Sequence, residues 1–263
     1  MPDVKLSAVI ISFNEEANIA DAIESVDWAD EIIVVDSGST DRTVEIASKL
    51  GAKVVYKEWK GFAEQKNFAM NLASNDLILS LDADERVTPQ LRSEIKAIIE
   101  SGKLADAYRI PRLSIYLGRE IRHGGWYPDF QIRLFNRTRG KWNDRIIHES
   151  FQPAKDASIG TLKGNLLHYS VRSTREHGEM IASRYAPLGA EQMYREGKTT
   201  GPLRAVLSGI AAFFRSYILQ AGFMDGFSGF RIAYFAAHNT LLKHLILMDL
   251  LDKNRIQDVQ DRK

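Results

Sequence analysis

Short apolar runs rich in β-branched residues alternate with segments of helical periodicity along the N-terminal part of the chain. Nearly continuous apolar runs are typical of strands that are buried on both faces of a parallel sheet. Strands that alternate with helical segments indicate βαβ units. The predicted strands are Leu6–Ser12, Glu31–Asp36, Ala52–Tyr56 and the apolar start of Leu77–Val87. The pattern therefore predicts an α/β fold with a doubly wound, mostly parallel sheet.

Signals for helix starts and ends agree with this alternation. Ser12–Glu15 matches a capping box and predicts a helix directly after the first strand. A second helix is predicted over Arg42–Leu50, because Gly51 then stands where a glycine cap belongs. A third helix is predicted near Ala63–Ala73. A fourth starts at Thr88, which is followed by a proline.

The middle of the chain has a different pattern. Ala107–Leu117 predicts a strand that a proline interrupts, and Gln131–Asn136 alternates well enough for another strand. Between them, His123–Asp129 is a loop rich in glycine, histidine and aromatic residues. We expect mixed or antiparallel strands here that cover the carboxyl edge of the sheet and build a pocket.

The C-terminal part is predicted to be helical from about Thr174. Gly197–Pro202 is the best linker candidate, and the two segments after it, Leu203–Ala221 and Phe230–Leu251, are rich in apolar and aromatic residues. Charged and polar residues interrupt both segments, so neither is a clean membrane span. The apolar face of the first segment fits a helix lying in the plane of a bilayer. It fits equally a helical hairpin packed on the main domain or on a second subunit.

Length and composition are those of a globular protein. With 263 residues, of which 44% are hydrophobic and 26% charged, the chain can bury a substantial core. We expect a main domain over residues 1–200 and a helical extension over residues 201–263. The formal net charge of +1 leaves no overall electrostatic footprint for nucleic acid. The absence of cysteine excludes disulfides and thiolate chemistry, and the short N-terminal apolar run predicts a cytoplasmic protein.

Two carboxylates end the fourth apolar run, at Asp82 and Asp84. Carboxylate oxygens favour Mg²⁺ or Mn²⁺, and Mg²⁺ usually binds through one or two carboxylates together with substrate phosphates. In open α/β sheets, ligands bind outside the carboxyl ends of the strands. Because acidic residues are also common in solvated turns, the pair alone leaves a plain turn as the alternative.

Three segments in order, SAVIISFNEE, IIVVDSGSTDRT and AEQKNFAMNLASNDLILSLDADERV, resemble the family 2 glycosyltransferases, whose catalytic domain has the GT-A fold. The loop HGGWYPDFQIRLFNR and the later HES are similar to bacterial enzymes that add glucose to the inner core of lipopolysaccharide. The resemblance covers residues 5–150 well and the C-terminal part loosely. It implies Mn²⁺ or Mg²⁺ as the cofactor and a C-terminal tail associated with the inner membrane.

The resemblance implies a nucleotide-sugar site at the ends of the first strands. Asp36 would hydrogen-bond the uracil or the ribose, and Asn14 or Glu15 would contact the base and ribose. Lys66 and Asn67 would face the nucleotide from the helix before the two carboxylates. Turn formation, helix capping and a surface position are the structural alternatives for these residues.

For the metal, the resemblance implies Asp84 as the direct ligand. Asp82 would contact the ribose or hold a metal-bound water. His148 would serve to complete the metal shell, because neutral imidazole is a common ligand.

The catalytic base would be a carboxylate that takes the proton from the acceptor hydroxyl. The family typically has a Glu-Asp pair with an arginine a few residues later, whereas this chain has Pro128, Asp129 and then Arg133. We predict Asp129 as the base, with Arg133 ordering the loop or contacting phosphate. Glu149 is the second candidate for the base.

The resemblance implies an inverting, metal-dependent transfer of a hexose, glucose from UDP-glucose, to a lipopolysaccharide-core or other lipid-linked saccharide. The expected partners are the UDP-hexose donor, the acceptor and the cytoplasmic face of the inner membrane, where the protein would be peripheral. An oligomer is possible, and no nucleic acid is expected. The alternatives are transfer to polyprenyl phosphate, a nucleotide-sugar-binding protein without turnover, and a membrane-surface adaptor.

Overall fold

The computed structural model describes residues 4–143 and 150–260, with side chains described as far as residue 253. Contacts divide the chain into two compact units. The first, called here the sheet unit, comprises Met1–Leu113 and Pro128–Tyr169. The second, called the helical unit, comprises Ser114–Tyr127 and Ser170–Lys263. The predicted residues His148 and Glu149 lie outside the described residues.

Strands and helices follow one another in the predicted alternation up to the fourth helix. The strands are β1 (Leu6–Ser12), β2 (Glu31–Asp36), β3 (Lys53–Tyr56), β4 (Leu77–Asp82), β5 (Glu85–Val87), β6 (Ala107–Tyr116), β7 (Arg119–Glu120), β8 (Asp129–Asn136), β9 (Gly140–Trp142), β10 (Phe151–Pro153), β11 (Ile159–Thr161) and β12 (Leu166–Val171). The helices are α1 (Ile19–Glu24), α2 (Thr43–Lys49), α3 (Phe62–Leu72), α4 (Pro89–Ser101), α5 (Thr174–Met180), α6 (Ala186–Arg195), α7 (Pro202–Phe214) and α8 (Gly226–Gln260). Wider helical turns follow α5 and α7, and short 3-10 turns precede β9 and α8.

One mixed sheet runs in the order β3-β2-β1-β4-β8-β6-β12-β5. Its first four strands are parallel. Strand β8 then pairs antiparallel with both β4 and β6, and β12 pairs antiparallel with β5. The doubly wound α/β prediction and the expectation of antiparallel strands in the middle of the chain are confirmed.

The central strands are buried because helices cover both faces of the sheet. All residues of β1 are buried. Ile10 packs into one apolar cluster, together with Val34, while Val9 packs into another with Ile33. Alternate residues of each strand therefore enter different cores, which is why the strands are apolar without alternation.

The helix signals were partly right. Thr88 caps α4 by accepting the N–H of Leu91, and Gly102 ends that helix with a left-handed φ of 65°. The capping box predicted at Ser12–Glu15 is wrong, because α1 begins only at Ile19. The Ser12 hydroxyl instead donates across the sheet to Asp36 on β2. A buried hydroxyl at a strand end found this partner in preference to a helix N–H.

The helical unit is built on contacts of α8 with α6 and α7. Small residues of α7 (Ala205, Gly209 and Ala212) are buried. The opposite face of α7 is exposed, with Leu203 at 73% and Leu219, in the turn after the helix, at 80%. In the part of the chain that the structure describes, Pro202–Leu219 is the one segment whose length and mean hydropathy of 1.2 would allow it to cross a membrane.

A buried histidine lies in the core of the helical unit. The Tyr116 hydroxyl lies 3.1 Å from Nδ1 of His177. The His177 ring also contacts the rings of Trp126 and Phe235. Burial among these rings lowers the pKa of His177 to about 4, although Glu176 acts in the opposite direction. Trp126 is thus a packing residue of this core.

This histidine should make stability fall in mild acid. Its pKa is about 4 in the folded state, against roughly 6.5 when unfolded, so its stabilising contribution is complete above the unfolded pKa and is lost as the pH falls towards the folded pKa. The loss by about pH 4 amounts to about 3 kcal/mol. Urea unfolding at several pH values, compared between wild type and His177→Gln, measures this slope. Parallel pH profiles for the two proteins would contradict the assignment.

Candidate active site

Three polar turns meet at one edge of the sheet because the parallel strands are in register. Ser12, the last residue of β1, is the direct partner of Asp36, the last residue of β2. Its neighbour Ile11 is the direct partner of Asp82, the last residue of β4. The carboxyl ends of β1, β2 and β4 therefore present their turns at the same level, where open α/β sheets bind ligands.

The turns after β1 and β2 are joined by hydrogen bonds. Asn14 has a left-handed φ of 53°. Its Oδ1 accepts the N–H of Thr40, and its own N–H donates to Ser39 Oγ. The Glu15 N–H donates to Thr43 Oγ1. Both predicted contact residues thus lie at the carboxyl edge, where they tie the two turns together.

Asp36 is buried inside the second of these turns. Its Oδ1 accepts the N–H groups of Gly38 and Ser39, and its Oδ2 accepts the hydroxyls of Ser12 and Ser39. Four hydrogen bonds use the acceptor capacity of a carboxylate. The geometry is that of an acid that shapes its own turn and holds it against β1.

Lys66, Asp82 and Arg133 form an ionic triad whose two cations are buried. Lys66 Nζ lies 2.9 Å from Asp82 Oδ1, and Arg133 Nη2 lies 2.6 Å from Asp82 Oδ2. The two cationic side chains are only 1% and 3% exposed. Burial acts to raise the pKa of Asp82, but the charges of Arg133 and Lys66 outweigh it and hold that pKa far below its usual range. The same pairing raises the pKa of Arg133.

Glu85 joins this triad, and the sequence analysis missed it. Its side chain is 0% exposed, and its Oε1 lies 2.7 Å from Arg133 Nη2. Its Oε2 accepts the N–H of Asp82 at 3.0 Å, which fixes the turn between β4 and β5. A charged residue followed closely by the apolar Val87 on a short strand is a weak sign of burial. No sequence pattern identifies the distant arginine that makes burial possible.

Asp129 starts β8 and is held by an arginine from β6. Arg112 donates to Asp129 Oδ2 from Nε at 2.9 Å and from Nη2 at 2.6 Å. Gln131 donates to the other oxygen, Oδ1, at 2.7 Å. Arg112 Nη1 also lies 3.4 Å from Glu85 Oε1. Burial acts to lower the pKa of Arg112, but the carboxylates of Glu85 and Asp129 outweigh it and raise that pKa.

Asp84, the second carboxylate of the predicted pair, has a different partner. Its Oδ2 lies 3.3 Å from Nε2 of His168 on β12. Its backbone carbonyl accepts the N–H of Tyr169, which ties the turn to that strand. The two predicted carboxylates are both partly exposed but have different partners: Asp82 pairs with two buried cations, whereas Asp84 lies beside an imidazole. His168 was not predicted from the sequence.

Asp84 and His168 are suitable donors for a hard divalent cation. In residues 4–143 and 150–260, no group of three or more histidine, cysteine, aspartate or glutamate side chains forms a ready metal site. Mg²⁺ keeps several waters and commonly uses one or two carboxylates with substrate phosphates, and neutral imidazole is a common ligand of transition metals. A two-residue donor set fits a cation that is bound together with a diphosphate.

Asn67 lies beside Lys66 on α3, and both ends of its amide pair with backbone. Its Nδ2 donates to the carbonyl of Trp142, and its Oδ1 accepts the N–H of the same residue. The Lys66 ammonium lies over the Trp142 ring, 4.7 Å from its centre. Asn67 therefore fixes the strand whose indole covers the buried lysine.

Comparison with known proteins gives three kinds of match. The profile of Glycosyl transferase family 2 matches residues 7–155. The uncharacterized glycosyltransferase RT0209 of Rickettsia typhi is 35% identical over 95% of this chain and 89% of its own length. The lipopolysaccharide core biosynthesis glycosyltransferase LpsC of Rhizobium meliloti is 30% identical over 88% of this chain and 87% of its own length.

Solved structures with a similar fold are more distant in sequence. S. aureus TarS 1–349 in complex with UDP-GlcNAc has a TM-score of 0.48 at 16% identity, over 95% of this chain and 92% of that chain. Glucosyl-3-phosphoglycerate synthase from Mycobacterium tuberculosis with Mn²⁺, UDP and glucosyl-3-phosphoglycerate has a TM-score of 0.47 at 21% identity, over 75% of this chain and 82% of that chain.

The different surroundings of the two aspartates predict different effects on folding. Asp82→Asn leaves the buried Lys66 and Arg133 undercompensated and should lower the free energy of unfolding by about 3 kcal/mol. Asp84→Asn changes a partly exposed pair with His168 and should cost about 1 kcal/mol or less. Urea denaturation of both variants and wild type measures the difference. Equal costs would show that Asp82 is not the counterion on which the two cations depend.

Proposed function

We propose that this chain, which belongs to glycosyl transferase family 2, transfers glucose from UDP-glucose to a saccharide of the lipopolysaccharide core or to another lipid-linked saccharide. The reaction would be an inverting, metal-dependent displacement. The observation that carries this proposal is the ionic cluster at the carboxyl end of β4 and the amino end of β8, which connects the turn with Asp82 and Asp84 to Asp129. The similarity to a relative named for lipopolysaccharide core biosynthesis supports the acceptor class.

The donor would bind across the turns after β1, β2 and β4. Asn14, Glu15 and Asp36 hold the first two turns in one arrangement, so their backbone can meet a base and ribose without reorganisation. Phe13 is 55% exposed at the same edge and is suited to stack on the uracil. It was not among the residues predicted from the sequence.

Asp129 would act as the general base. In a single displacement, it takes the proton of the acceptor hydroxyl while the hydroxyl oxygen forms a bond to the anomeric carbon. The bond from that carbon to the diphosphate oxygen breaks, and its electron pair leaves with the nucleoside diphosphate. The Asp129 side chain is partly exposed, and among the described residues its Oδ1 accepts one hydrogen bond, from Gln131, so that oxygen can accept a hydroxyl proton.

Asp84 and His168 would hold the divalent cation. When bound, Mn²⁺ or Mg²⁺ supplies positive charge that stabilises the leaving diphosphate. Asp82 has a different task in this proposal. Since both its oxygens are engaged by Lys66 and Arg133, it keeps these two positive charges fixed near the donor turn. Preorganised charge of this kind costs no reorganisation during the reaction.

Transfer should require the cation and the base. We expect UDP release from UDP-glucose, with truncated lipopolysaccharide core as acceptor, to occur with Mn²⁺ or Mg²⁺ and to stop with EDTA. Asp129→Asn should lower kcat by at least about 100-fold, because proton transfer contributes that much or more. Asp84→Asn should lose most activity at limiting metal. The exposed Glu58 is a matched control, and Glu58→Gln should behave as wild type.

Failure of these assays has a defined meaning. Full activity of Asp129→Asn would move the base to another carboxylate, with Glu149 as the next candidate. Product formed on polyprenyl phosphate but not on the saccharide would replace the acceptor. Binding of UDP-glucose without transfer to any acceptor would favour a nucleotide-sugar-binding protein.

We also propose that residues 201–263 form a helical extension that attaches the protein to the cytoplasmic face of the inner membrane. Large apolar side chains on α7, α8 and the turns between them are exposed, including Leu203, Leu219, Met224 and Phe227. Between residues 199 and 248 the sequence has basic residues at 204, 215, 231 and 243 and an acidic residue only at 225. Exposed apolar and aromatic residues with a positive balance suit an anionic bilayer surface.

Vesicle flotation tests this attachment. Wild type should float with vesicles containing anionic lipid, and less so at high salt. Replacing Leu203 and Phe227 by serine should weaken partitioning by roughly 150-fold, since each buried apolar side chain contributes about 1.5 kcal/mol. Val44→Ser with Ile159→Ser is the matched control on exposed residues of the sheet unit. Unchanged flotation, with a dimer found by sedimentation, would favour a second subunit on this face.

A further inference from the structure

Six side chains of the sheet unit form one chain of alternating charge. The order is Lys66, Asp82, Arg133, Glu85, Arg112 and Asp129. Every neighbouring pair in this order is in contact, the longest being the 3.4 Å between Glu85 Oε1 and Arg112 Nη1. The chain of charges ends at the proposed base, on a strand antiparallel to the strand that ends in Asp82.

Arg112 determines the surroundings of the base. Its Nε and Nη2 both donate to the same oxygen, Oδ2 of Asp129, whereas the other oxygen, Oδ1, accepts from Gln131. Two charged or polar side chains face Asp129 in the described residues of β6 and β8: Arg112 and Gln131. Arg112 is in turn faced by Glu85 from β5.

Glu85 is the counterion shared by the two arginines. Its Oε1 contacts Arg133 at 2.7 Å and Arg112 at 3.4 Å, and it has no exposed surface. A fully buried carboxylate cannot exchange its partners for water, so the two guanidinium groups are held relative to each other. The contact to Arg112 is the longer one, and it is the link through which the base is connected to the donor turn.

The charges of the six groups cancel when all are ionised. If Asp129 accepts a proton from the acceptor hydroxyl, the cluster is left with one excess positive charge. In the same step the leaving diphosphate gains negative charge. A positive charge that appears on fixed groups as the negative charge develops stabilises the transition state more than the ground state.

We propose that Arg112, anchored by Glu85, is a positioning residue for Asp129, and that the ionic chain gains an excess positive charge as the base is protonated, which stabilises the departing diphosphate. This inference rests on the proposed function. It assigns to Arg112 two effects that can be separated by experiment. One is on the orientation of the base, and the other is on the rate of the displacement through the charge of the ionic chain.

The experiment is the pH dependence of kcat and kcat/KM for UDP release in wild type, Arg112→Gln and Arg112→Lys. Without the guanidinium, kcat on the high-pH plateau should fall by about tenfold, because a fixed positive charge near the departing diphosphate is lost. The lysine variant should recover part of this loss. Arg109→Gln, an exposed position on the same strand, is the matched control.

The second effect gives the more decisive test. A lower kcat on that plateau, with the donor KM changed less than about threefold, supports the charge on the ionic chain. An equal or higher kcat would overturn the inference.

Carbon-detected NMR of the Asp129 carboxyl group, in wild type, Arg112→Gln and Arg109→Gln, does not depend on turnover. If wild type transfers no sugar, the proposed function fails and the catalytic part of this inference fails with it. A carboxyl chemical shift that changes in Arg112→Gln and not in Arg109→Gln would still support the positioning contact, and an unchanged chemical shift would overturn it. Thermal unfolding of each variant excludes a general loss of structure as the cause.

Discussion

Lys66 and Arg133 are two buried cations of the sheet unit, and the arrangement of the site depends on the carboxylates that compensate their charges. Removing an ammonium or a guanidinium from water is costly unless a carboxylate and further hydrogen bonds replace the lost hydration. Asp82 contacts both cations, and Glu85 contacts the arginine a second time. Arg86 donates to two carbonyl groups of the same turn. These ion pairs and hydrogen bonds therefore favour one conformation of the turn after β4, and Asp84 is presented by that conformation.

The sequence predicted the parallel half of the sheet well because its determinants are local. β1 and β2 begin and end where predicted, since continuous apolar runs bounded by polar turns mark buried strands. The error at Ser12 has a physical cause. A capping box is defined by four consecutive residues, whereas the hydroxyl found a buried acid on the neighbouring strand. Pairing between strands, which no short pattern encodes, decided the local structure.

The candidate site likewise contains residues that the sequence identifies and residues that it does not. Asp82, Asp84 and Asp129 could be named from the sequence because they stand in recognisable segments. Arg112 and His168 could not, because each is an isolated charged or polar residue whose significance comes from a partner far along the chain. Asp36 and Asn67 show a further limit. Their residue types suit ligand contacts, yet in the structure their polar atoms are engaged by neighbouring backbone and hydroxyl groups.

The position of β8 in the sheet also constrains how the chain can fold as it is synthesised. In the sheet, β4 lies between β1 and β8. Both neighbours are distant from β4 in sequence, and β8 is synthesised well after it. Contacts between residues distant in sequence form slowly, because the entropy of closing long loops opposes them. A nascent chain that ends before Arg133 has β1, β2 and β4 but lacks the guanidinium that Asp82 and Glu85 require. The sheet unit is therefore expected to remain an exposed intermediate on the ribosome until β8 emerges, a period in which chaperone binding would matter most.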